Sequence, residues 1–222
     1  MPFEKKHEGY GKRKVKDVPI YVRDPDFIKK LVEEVKRVEW PYVKGGGVKE
    51  KLWARDQGLA ALLILIGPRI SEALLFQRKM FVIRDDRIEV MDFLPGKHGN
   101  LRTGLFLPLN KNAALFPITE IFLAWLKQVP NDPEAYVFPT AKPWGIIRWN
   151  RPIERGRAHW IIKSTIGKFP HALRGVCETY IGKMVFLNDP YKLKDFMGVR
   201  RIENVFPYVG EPWRQDLERA NQ

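Results

Sequence analysis

The spacing of the apolar residues changes twice along the chain, and this change constrains the fold more than any other feature. In the first third, apolar residues recur every three or four positions, as at Phe27, Leu31 and Val35, which is typical of helices. Between residues 80 and 109 they fall in short runs, and afterwards the helical spacing returns. We expect helices over 24–37, 48–66, 69–77 and 117–127, and a Pro- and Trp-rich loop over 130–149. The pattern therefore predicts an α+β fold that is mainly α.

The short apolar runs predict one small sheet. They cover residues 80–83, 87–93 and 105–109 and are rich in Val, Ile, Phe and Leu. Turn-forming residues such as Asp85 and Asp86 separate them. Because runs of this length joined by turns pair as neighbouring antiparallel strands, we expect a small three-stranded antiparallel β-sheet.

The charge of the chain points to a polyanionic partner. The 222 residues include 39 Lys and Arg against 26 Asp and Glu, so the formal net charge is +13. Nucleic acid is the commonest such partner, because each neutralised phosphate releases counterions and adds affinity for any sequence. Ribosomes and anionic membrane surfaces attract basic proteins in the same way. The tail over 1–16 is basic, and its Lys12, Arg13 and Lys14 are candidates for contact with a phosphate backbone.

Composition excludes several classes of protein. Hydrophobic residues make up 45% of the chain, which is enough for a core and excludes a largely disordered protein. No apolar run approaches the roughly 20 residues of a membrane-spanning helix, and the basic start has no apolar segment of the secretory kind. Cys177 is the only cysteine, which excludes a disulfide framework. We therefore expect a cytoplasmic protein that is not secreted, with no membrane or small-molecule partner.

The histidines and carboxylates do not form a metal-binding pattern. The four histidines are scattered without ligand spacing, and the sequence has no carboxylate cluster of the kind that holds Mg²⁺. It has no phosphate-binding loop of the G-x-x-x-x-G-K-[ST] type either. We expect no metal and no cofactor, so any phosphoryl chemistry would use side-chain cations and a protein nucleophile.

Two cations stand out in the first half of the chain. Arg69 lies between two apolar helical runs, where a guanidinium needs a buried anion, such as Glu72, or a substrate phosphate. Lys97 lies at the tip of the predicted hairpin between the second and third strands. Each residue alone has an ordinary structural explanation, as an ion pair or as part of a solvated turn.

Two further features lie in the second half. His171 and Arg174 stand three residues apart, which places them on one face of a helical turn. Tyr208 follows a basic segment near the end of the chain. Each signal is weak by itself, because a packed tyrosine or a short His-x-x-Arg pattern is common in proteins of any function.

Taken in order, these residues resemble the catalytic constellation Arg…Lys…His-x-x-Arg…Tyr of the tyrosine recombinases, the phage-integrase family, which type IB topoisomerases share in part. Five motifs carry the resemblance from about residue 48 to residue 208. They are Ile66-Gly67-Pro68-Arg69-Ile70-Ser71-Glu72-Ala73-Leu74, Gly96-Lys97-His98-Gly99-Asn100-Leu101-Arg102 running on to Leu107-Pro108-Leu109, Val137-Phe138-Pro139, His171-Ala172-Leu173-Arg174 and the box from Met197 to Tyr208. The chain is therefore similar to the catalytic domain of a tyrosine recombinase. Within this family, the resemblance suggests an archaeal or viral integrase.

The resemblance implies a catalytic domain over 48–222 that contains the small three-stranded sheet. Residues 1–47 would then form a basic arm and one helix, which is less than the separate core-binding domain that most members carry. The chain would be either a catalytic fragment of a longer protein or a minimal member. The partner implied is double-stranded DNA, with self-association into a tetrameric synapse on that DNA.

The reaction implied is site-specific cleavage and rejoining of DNA through a 3′-phosphotyrosine intermediate, without metal or ATP. Tyr208 would be the nucleophile. Arg69 and Arg174 would bind the non-bridging phosphate oxygens. Lys97 would protonate the leaving 5′-oxygen, and His171 would assist proton transfer.

One motif departs from the family pattern. Nine residues before the nucleophile most members have His or Trp, which can donate a hydrogen bond to the scissile phosphate, whereas this chain has Val199. Three residues are candidates for support of the transition state: Arg200 and Arg201 for the missing contact, and Glu72 through the Arg69 region. Arg102, in the hairpin motif, is a further candidate for DNA binding.

Two alternatives use the same residues or the same fold. One is a topoisomerase-like enzyme that cuts, swivels and reseals one strand. The other is a DNA-binding module that has kept the fold and lost catalysis, which Val199 favours slightly. A covalent protein–DNA adduct at Tyr208 would separate an enzyme from a binding module.

Overall fold

A computed structural model describes residues 26–39, 48–94, 99–142, 146–167 and 169–209 of the chain. Its helices are α1 (Phe27–Lys36), α2 (Lys49–Leu65), α3 (Ile70–Ala73), α4 (Phe116–Leu126), α5 (Arg155–Ile166), α6 (Pro170–Tyr180), α7 (Pro190–Met197) and α8 (Phe206–Val209), with 3₁₀ turns at Arg78–Met80 and Ile202–Asn204 and a π-helix at Ile181–Val185. Its strands are β1 (Phe81–Ile83), β2 (Arg87–Val90), β3 (Leu105–Pro108), β4 (Pro139–Ala141) and β5 (Ile147–Pro152). The prediction of a mainly helical α+β fold is confirmed.

The long helix α2 forms the centre of the hydrophobic core. Residues 59–66 are all buried, because α2 packs against α1, α4 and α6. Gly58 permits the close approach of α4, since a Cβ at this position would lie 2.9 Å from the Trp125 side chain. The helix predicted over 48–66 matches the structure to within one residue at each end. The helix ends at Leu65, from which the chain turns towards Arg69.

Strands β1, β2 and β3 form an antiparallel meander in that order. In the register of the sheet, Ile88 pairs with Leu107 and Glu89 pairs with Phe106. Ile88 and Leu107 are buried on the core side, whereas Phe106 is exposed on the other face. The predicted three-stranded antiparallel sheet is confirmed, and the connection between β2 and β3 is the hairpin predicted to carry Lys97.

The helix expected over 69–77 is much shorter in the structure. Helix α3 ends at Ala73, and the chain after it pairs with a distant segment: Gln77 forms an isolated antiparallel bridge with Tyr136. Val137 N–H also donates to the Phe76 carbonyl oxygen at 2.8 Å. These long-range hydrogen bonds replace the helical ones, and the sequence spacing does not reveal them.

The segment expected as a loop over 130–149 contains strand β4 and the start of β5. These two strands form a separate two-stranded antiparallel sheet. Trp149 of β5 stacks on Trp125 of α4, with ring centroids 5.9 Å apart. Tertiary packing therefore outweighs the loop-forming composition of this segment.

Helix α1 belongs to the same hydrophobic core as α2. Phe27, Leu31 and Val35 are buried, and the Phe27 ring stacks on Tyr180 with centroids 6.0 Å apart. The helix predicted over 24–37 corresponds to α1, and positions 24 and 25 lie outside the described residues. The division of the chain into 1–47 and 48–222 stays a prediction, and α1 packs on the helices of the second of these segments.

Candidate active site

The turn after α2 brings Arg69 to the surface. Gly67 adopts a left-handed conformation with a φ of +56°, which glycine adopts without strain. A Cβ at this position would lie 3.0 Å from Met197 Cε, so a side chain would be crowded against α7. Arg69 follows with 45% of its side chain exposed. A tight glycine turn against α7 therefore sets the position of Arg69.

Glu72 holds Arg69 from the first turn of α3. Its carboxylate accepts hydrogen bonds from the Arg69 backbone N–H at 2.8 Å and from Arg69 Nη1 at 2.6 Å. The Glu72 side chain is buried, so solvent and salt screen this pair less than a surface ion pair. The geometry gives Glu72 a supporting contact to Arg69, and a part for Glu72 in the transition state stays a prediction.

Arg174, on α6, reaches the same turn. Its Nη1 donates to the Gly67 carbonyl oxygen at 2.8 Å, across 107 positions of sequence, and its Nε donates to Glu178 Oε1 at 2.9 Å. The Arg174 side chain is only 5% exposed, so the Glu178 carboxylate compensates its buried charge. His171 is exposed on the first turn of the same helix. The two arginines predicted to bind phosphate are thus held at one turn of the chain.

Tyr208 lies against α6 beside Arg174. The tyrosine is half-buried in the short helix α8, and a Cβ at Gly175 would lie 3.8 Å from Tyr208 Cε1. The next residue, Val209, packs on Gly182, where a Cβ would lie only 2.7 Å from Val209 Cγ1. Gly182, in the π-helix that follows α6, therefore lets the tyrosine segment approach closely, and Tyr208 lies beside Gly175, the residue that follows Arg174.

The hairpin between β2 and β3 is joined to the end of α7. The Asn100 backbone N–H donates to the Gly198 carbonyl oxygen at 2.9 Å. This hydrogen bond links the hairpin motif to the motif that ends at Tyr208. Some of the predicted site residues lie outside the described ranges, and their roles stay predictions: Lys97, Lys12, Arg13 and Lys14.

The segment after α7 contains the departure from the family pattern. Val199 is partly buried and packs on the smaller of the two hydrophobic clusters, around Leu193 and Met197. Arg200 and Arg201 are exposed. Val199 therefore has a packing role here, and a phosphate contact by either arginine stays a prediction.

Arg102 lies inside the fold and not on its surface. It is 1% exposed, and its guanidinium carbon lies 5.3 Å from the Phe93 ring centroid and 5.1 Å from that of Phe196. Its Nη2 donates to the Ile66 carbonyl oxygen at 2.6 Å, and burial lowers the pKa of Arg102 to about 10. The predicted contact of Arg102 with DNA does not fit this placement, because the buried side chain has no surface from which to reach a phosphate.

Three further observations concern the Cys177 thiol, metal ligands and membrane-spanning helices. Burial raises the pKa of the Cys177 thiol to about 12, so it stays protonated near neutral pH and is a poor nucleophile. Within the ranges that the structure describes, no three His, Cys, Asp or Glu residues are grouped as metal ligands. None of the described helices is both long enough and apolar enough to cross a membrane.

Helix α5 carries basic and aromatic residues that belong to none of the motifs named above. The Arg157 guanidinium lies over the Trp160 ring at 5.5 Å, and Lys163 Nζ lies 4.9 Å from the Phe169 ring centroid. Both rings are exposed. The three-residue spacing of Arg157, Trp160 and Lys163 is the signal that could have indicated one face. Exposed cations and rings of this kind can contact phosphates and stack on bases.

No family model matches the chain, and no curated protein matches its sequence. Solved structures do match its fold. XerH site-specific recombinase bound to a palindromic difH substrate, in a post-cleavage complex, gives a TM-score of 0.60 at 18% identity, over 89% of this chain and 51% of that chain. The pre-cleavage complex of XerH with difH gives 0.56 at 17% identity, over 87% and 51%. The Tn1549 transposon integrase in complex with a circular intermediate DNA gives 0.50 at 17% identity, over 88% and 64%.

The chain has the fold of a tyrosine recombinase or integrase catalytic domain. The resemblance carried by the five sequence motifs is therefore confirmed at the level of the fold. The chain spans about half the length of the XerH chains that it matches.

Proposed function

We propose that the chain is the catalytic domain of a site-specific DNA recombinase or integrase, which cleaves and rejoins DNA through a 3′-phosphotyrosine. The observation that carries the proposal is the hydrogen bond from Arg174 Nη1 to the Gly67 carbonyl oxygen at 2.8 Å. It joins the two arginine motifs at one turn, and Tyr208 lies against Gly175 beside them. Three of the five motif residues thus meet in a single region of the fold.

In the proposed reaction, the Tyr208 hydroxyl gives its proton to His171, and its oxygen attacks the scissile phosphorus. A bond forms between this oxygen and phosphorus, and the bond from phosphorus to the 5′-oxygen breaks. The strand keeps its phosphate as a 3′-phosphotyrosine, and Lys97 supplies the proton that makes the leaving group a 5′-hydroxyl. Because the phosphotyrosine bond conserves the phosphodiester free energy, the reverse attack by a 5′-hydroxyl rejoins DNA without ATP.

The two arginines stabilise the additional negative charge of the transition state. The exposed Arg69 guanidinium suits the non-bridging oxygens, and Arg174, whose Nε and Nη1 donate to Glu178 and Gly67, would contact the phosphate through Nη2. Glu72 and Glu178 each hold one of these guanidinium groups by an ion pair. The donors are therefore oriented before DNA binds, which is the condition for strong electrostatic stabilisation.

Duplex DNA is the proposed substrate, and a tetramer on two duplexes is the proposed assembly. The net charge of +13 supports binding to phosphates, and the basic face of α5 offers exposed cations such as Arg157 and Lys163. The structural neighbours are complexes with DNA. The reaction would take place in the cytoplasm of the host cell, where the DNA is accessible.

A nicked duplex that loses, after cleavage, the short fragment bearing the new 5′-hydroxyl tests this function. The cleaved strand cannot be rejoined, so the wild-type protein should accumulate as a covalent protein–DNA adduct, also in EDTA and without ATP. Transfer of the adduct strand to a second duplex supports a recombinase, whereas relaxation of supercoiled DNA without transfer supports the topoisomerase alternative. Duplex binding without any adduct contradicts the proposal and favours a binding module.

The basic arm should contribute affinity for DNA of any sequence. Replacing Lys12, Arg13 and Lys14 by alanine should weaken duplex binding and reduce the slope of log K against log salt by up to about 0.9 per lost phosphate contact. Binding isotherms over a salt series measure this slope. A control with the same loss of charge replaces the exposed residues Lys79, Lys111 and Lys127 by alanine. Equal slopes for the two triple variants would show that the arm acts only through net charge.

A further inference from the structure

We propose that Arg102 is a positioning residue that holds the Arg69 turn in the geometry needed for DNA cleavage. The proposal rests on the function proposed above. It assigns to Arg102 a role inside the protein, in place of the DNA contact that the sequence indicates.

Arg102 and Arg174 bind two successive carbonyl oxygens at the carboxyl end of α2. Arg102 Nη2 donates to the Ile66 oxygen at 2.6 Å, and Arg174 Nη1 donates to the Gly67 oxygen at 2.8 Å. The last carbonyl groups of a helix lack intrahelical partners and carry partial negative charge, which favours cations at this end. Two guanidinium groups therefore fix the peptide units that lead directly to Arg69.

The Arg102 guanidinium also contacts two other segments that carry motif residues. It lies between the Phe93 ring, at the base of the hairpin, and the Phe196 ring, in the last turn of α7. The backbone of Arg102 also pairs with that of Phe93 through hydrogen bonds of 3.0 and 3.2 Å. Arg102 thus touches the turn that carries Arg69, the hairpin that follows β2, and the helix that leads towards Tyr208.

Burial of this side chain is costly for stability. Within the described part of the chain, its Nε and Nη1 atoms have no hydrogen-bond partner, and burial lowers its pKa. Buried donors without partners cost free energy, and an apolar residue of similar length would fill the space between the rings without this cost. Stability alone therefore does not favour an arginine at position 102, and a residue of this kind is expected where function requires it.

The test uses Arg102→Met, which keeps the length of the side chain and removes its donors. We expect a folded protein with a thermal midpoint near that of the wild type and an unchanged salt slope of duplex binding. Its single-turnover cleavage rate should fall about 10²-fold, because a small displacement of a catalytic group has this effect. Arg102→Lys, which keeps one donor for the Ile66 oxygen, should recover part of the rate. Combined with Arg69→Ala, Arg102→Met should add little further loss, because both act through the same group.

Arg55→Met is the matched control. Arg55 is also a buried arginine that donates to a backbone carbonyl, that of Pro139 at 2.8 Å, and it belongs to no catalytic motif. This variant should lose stability, since Asp56 loses its ion pair, while the folded fraction cleaves at the wild-type rate. If Arg102→Met and Arg55→Met both lose cleavage activity in proportion to their loss of stability, the proposal is overturned. A salt slope lower by about 1 in Arg102→Met would overturn it in favour of a phosphate contact.

Amide hydrogen exchange separates this proposal from the proposed function. In Arg102→Met without DNA, the peptide covering residues 66–74 should exchange faster than in the wild type, and in Arg55→Met it should not. Unchanged exchange in Arg102→Met would contradict the positioning role even if the wild type cleaves DNA. Faster exchange without any wild-type adduct would support the positioning of the turn and contradict the recombinase function.

Discussion

Replacing Tyr208 by phenylalanine should abolish the covalent protein–DNA adduct and leave the affinity for duplex DNA nearly unchanged. The substitution removes the oxygen that bonds to phosphorus, and no neighbouring hydroxyl group replaces it in the proposed mechanism. The ring remains, so its packing against Gly175 is kept. Gel analysis of the adduct on the nicked duplex, together with a binding isotherm for Tyr208→Phe, measures both quantities.

Tyr191→Phe is the control for this substitution. Tyr191 lies on α7 with 69% of its surface exposed, so the loss of its hydroxyl should change neither folding nor adduct yield. Wild-type adduct yield from Tyr208→Phe, or a loss confined to Tyr191→Phe, would contradict the assignment of the nucleophile.

Replacing Arg174 by alanine should slow cleavage by about 10²–10³-fold, the usual effect of losing one oriented donor in the transition state. Duplex binding should fall far less, because only one phosphate contact is lost. The substitution also leaves the buried Glu178 carboxylate without its cation, which should lower the free energy of unfolding by about 3–5 kcal/mol. Cleavage rates are therefore measured at a temperature where the variant is folded, as checked by circular dichroism.

Glu178→Gln separates orientation from charge. This variant keeps the Arg174 guanidinium and its hydrogen bond to the Gly67 oxygen, so it should retain more activity than Arg174→Ala. An equal loss of binding and cleavage in Arg174→Ala would identify Arg174 as an anchoring cation and favour a non-catalytic module.

The sequence predicts most of the fold because apolar spacing decides it locally. The buried run of α2 and the three strands of the meander follow from residues close together in sequence. The pair β4 and β5 was not predicted, because the Pro- and Trp-rich composition indicates a loop. In that sheet Trp149 stacks on Trp125 of α4, a contact between two segments that the sequence pattern does not reveal.

The candidate site could be predicted only in part. The order of the motifs indicates Arg69, Arg174 and Tyr208. In the structure, Arg174 of α6 binds the turn that leads to Arg69, and Tyr208 of α8 lies against Gly175 of α6. The burial of Arg102 could not be predicted, because it depends on contacts with Phe196 and Ile66, which come from distant segments. From the sequence alone, an arginine in a hairpin motif of a basic protein is predicted to be an exposed cation, as Arg102 was.

The most direct test of the account is to identify the residue that carries DNA in the wild-type adduct. The adduct formed on the nicked duplex is digested with nuclease and protease, and the modified peptide is sequenced by mass spectrometry. We predict a nucleotide joined through its 3′-phosphate to Tyr208, and a free 5′-hydroxyl on the released strand. A nucleotide on Tyr180, on Tyr191 or on any residue other than Tyr208, or a linkage through a 5′-phosphate, would contradict the account.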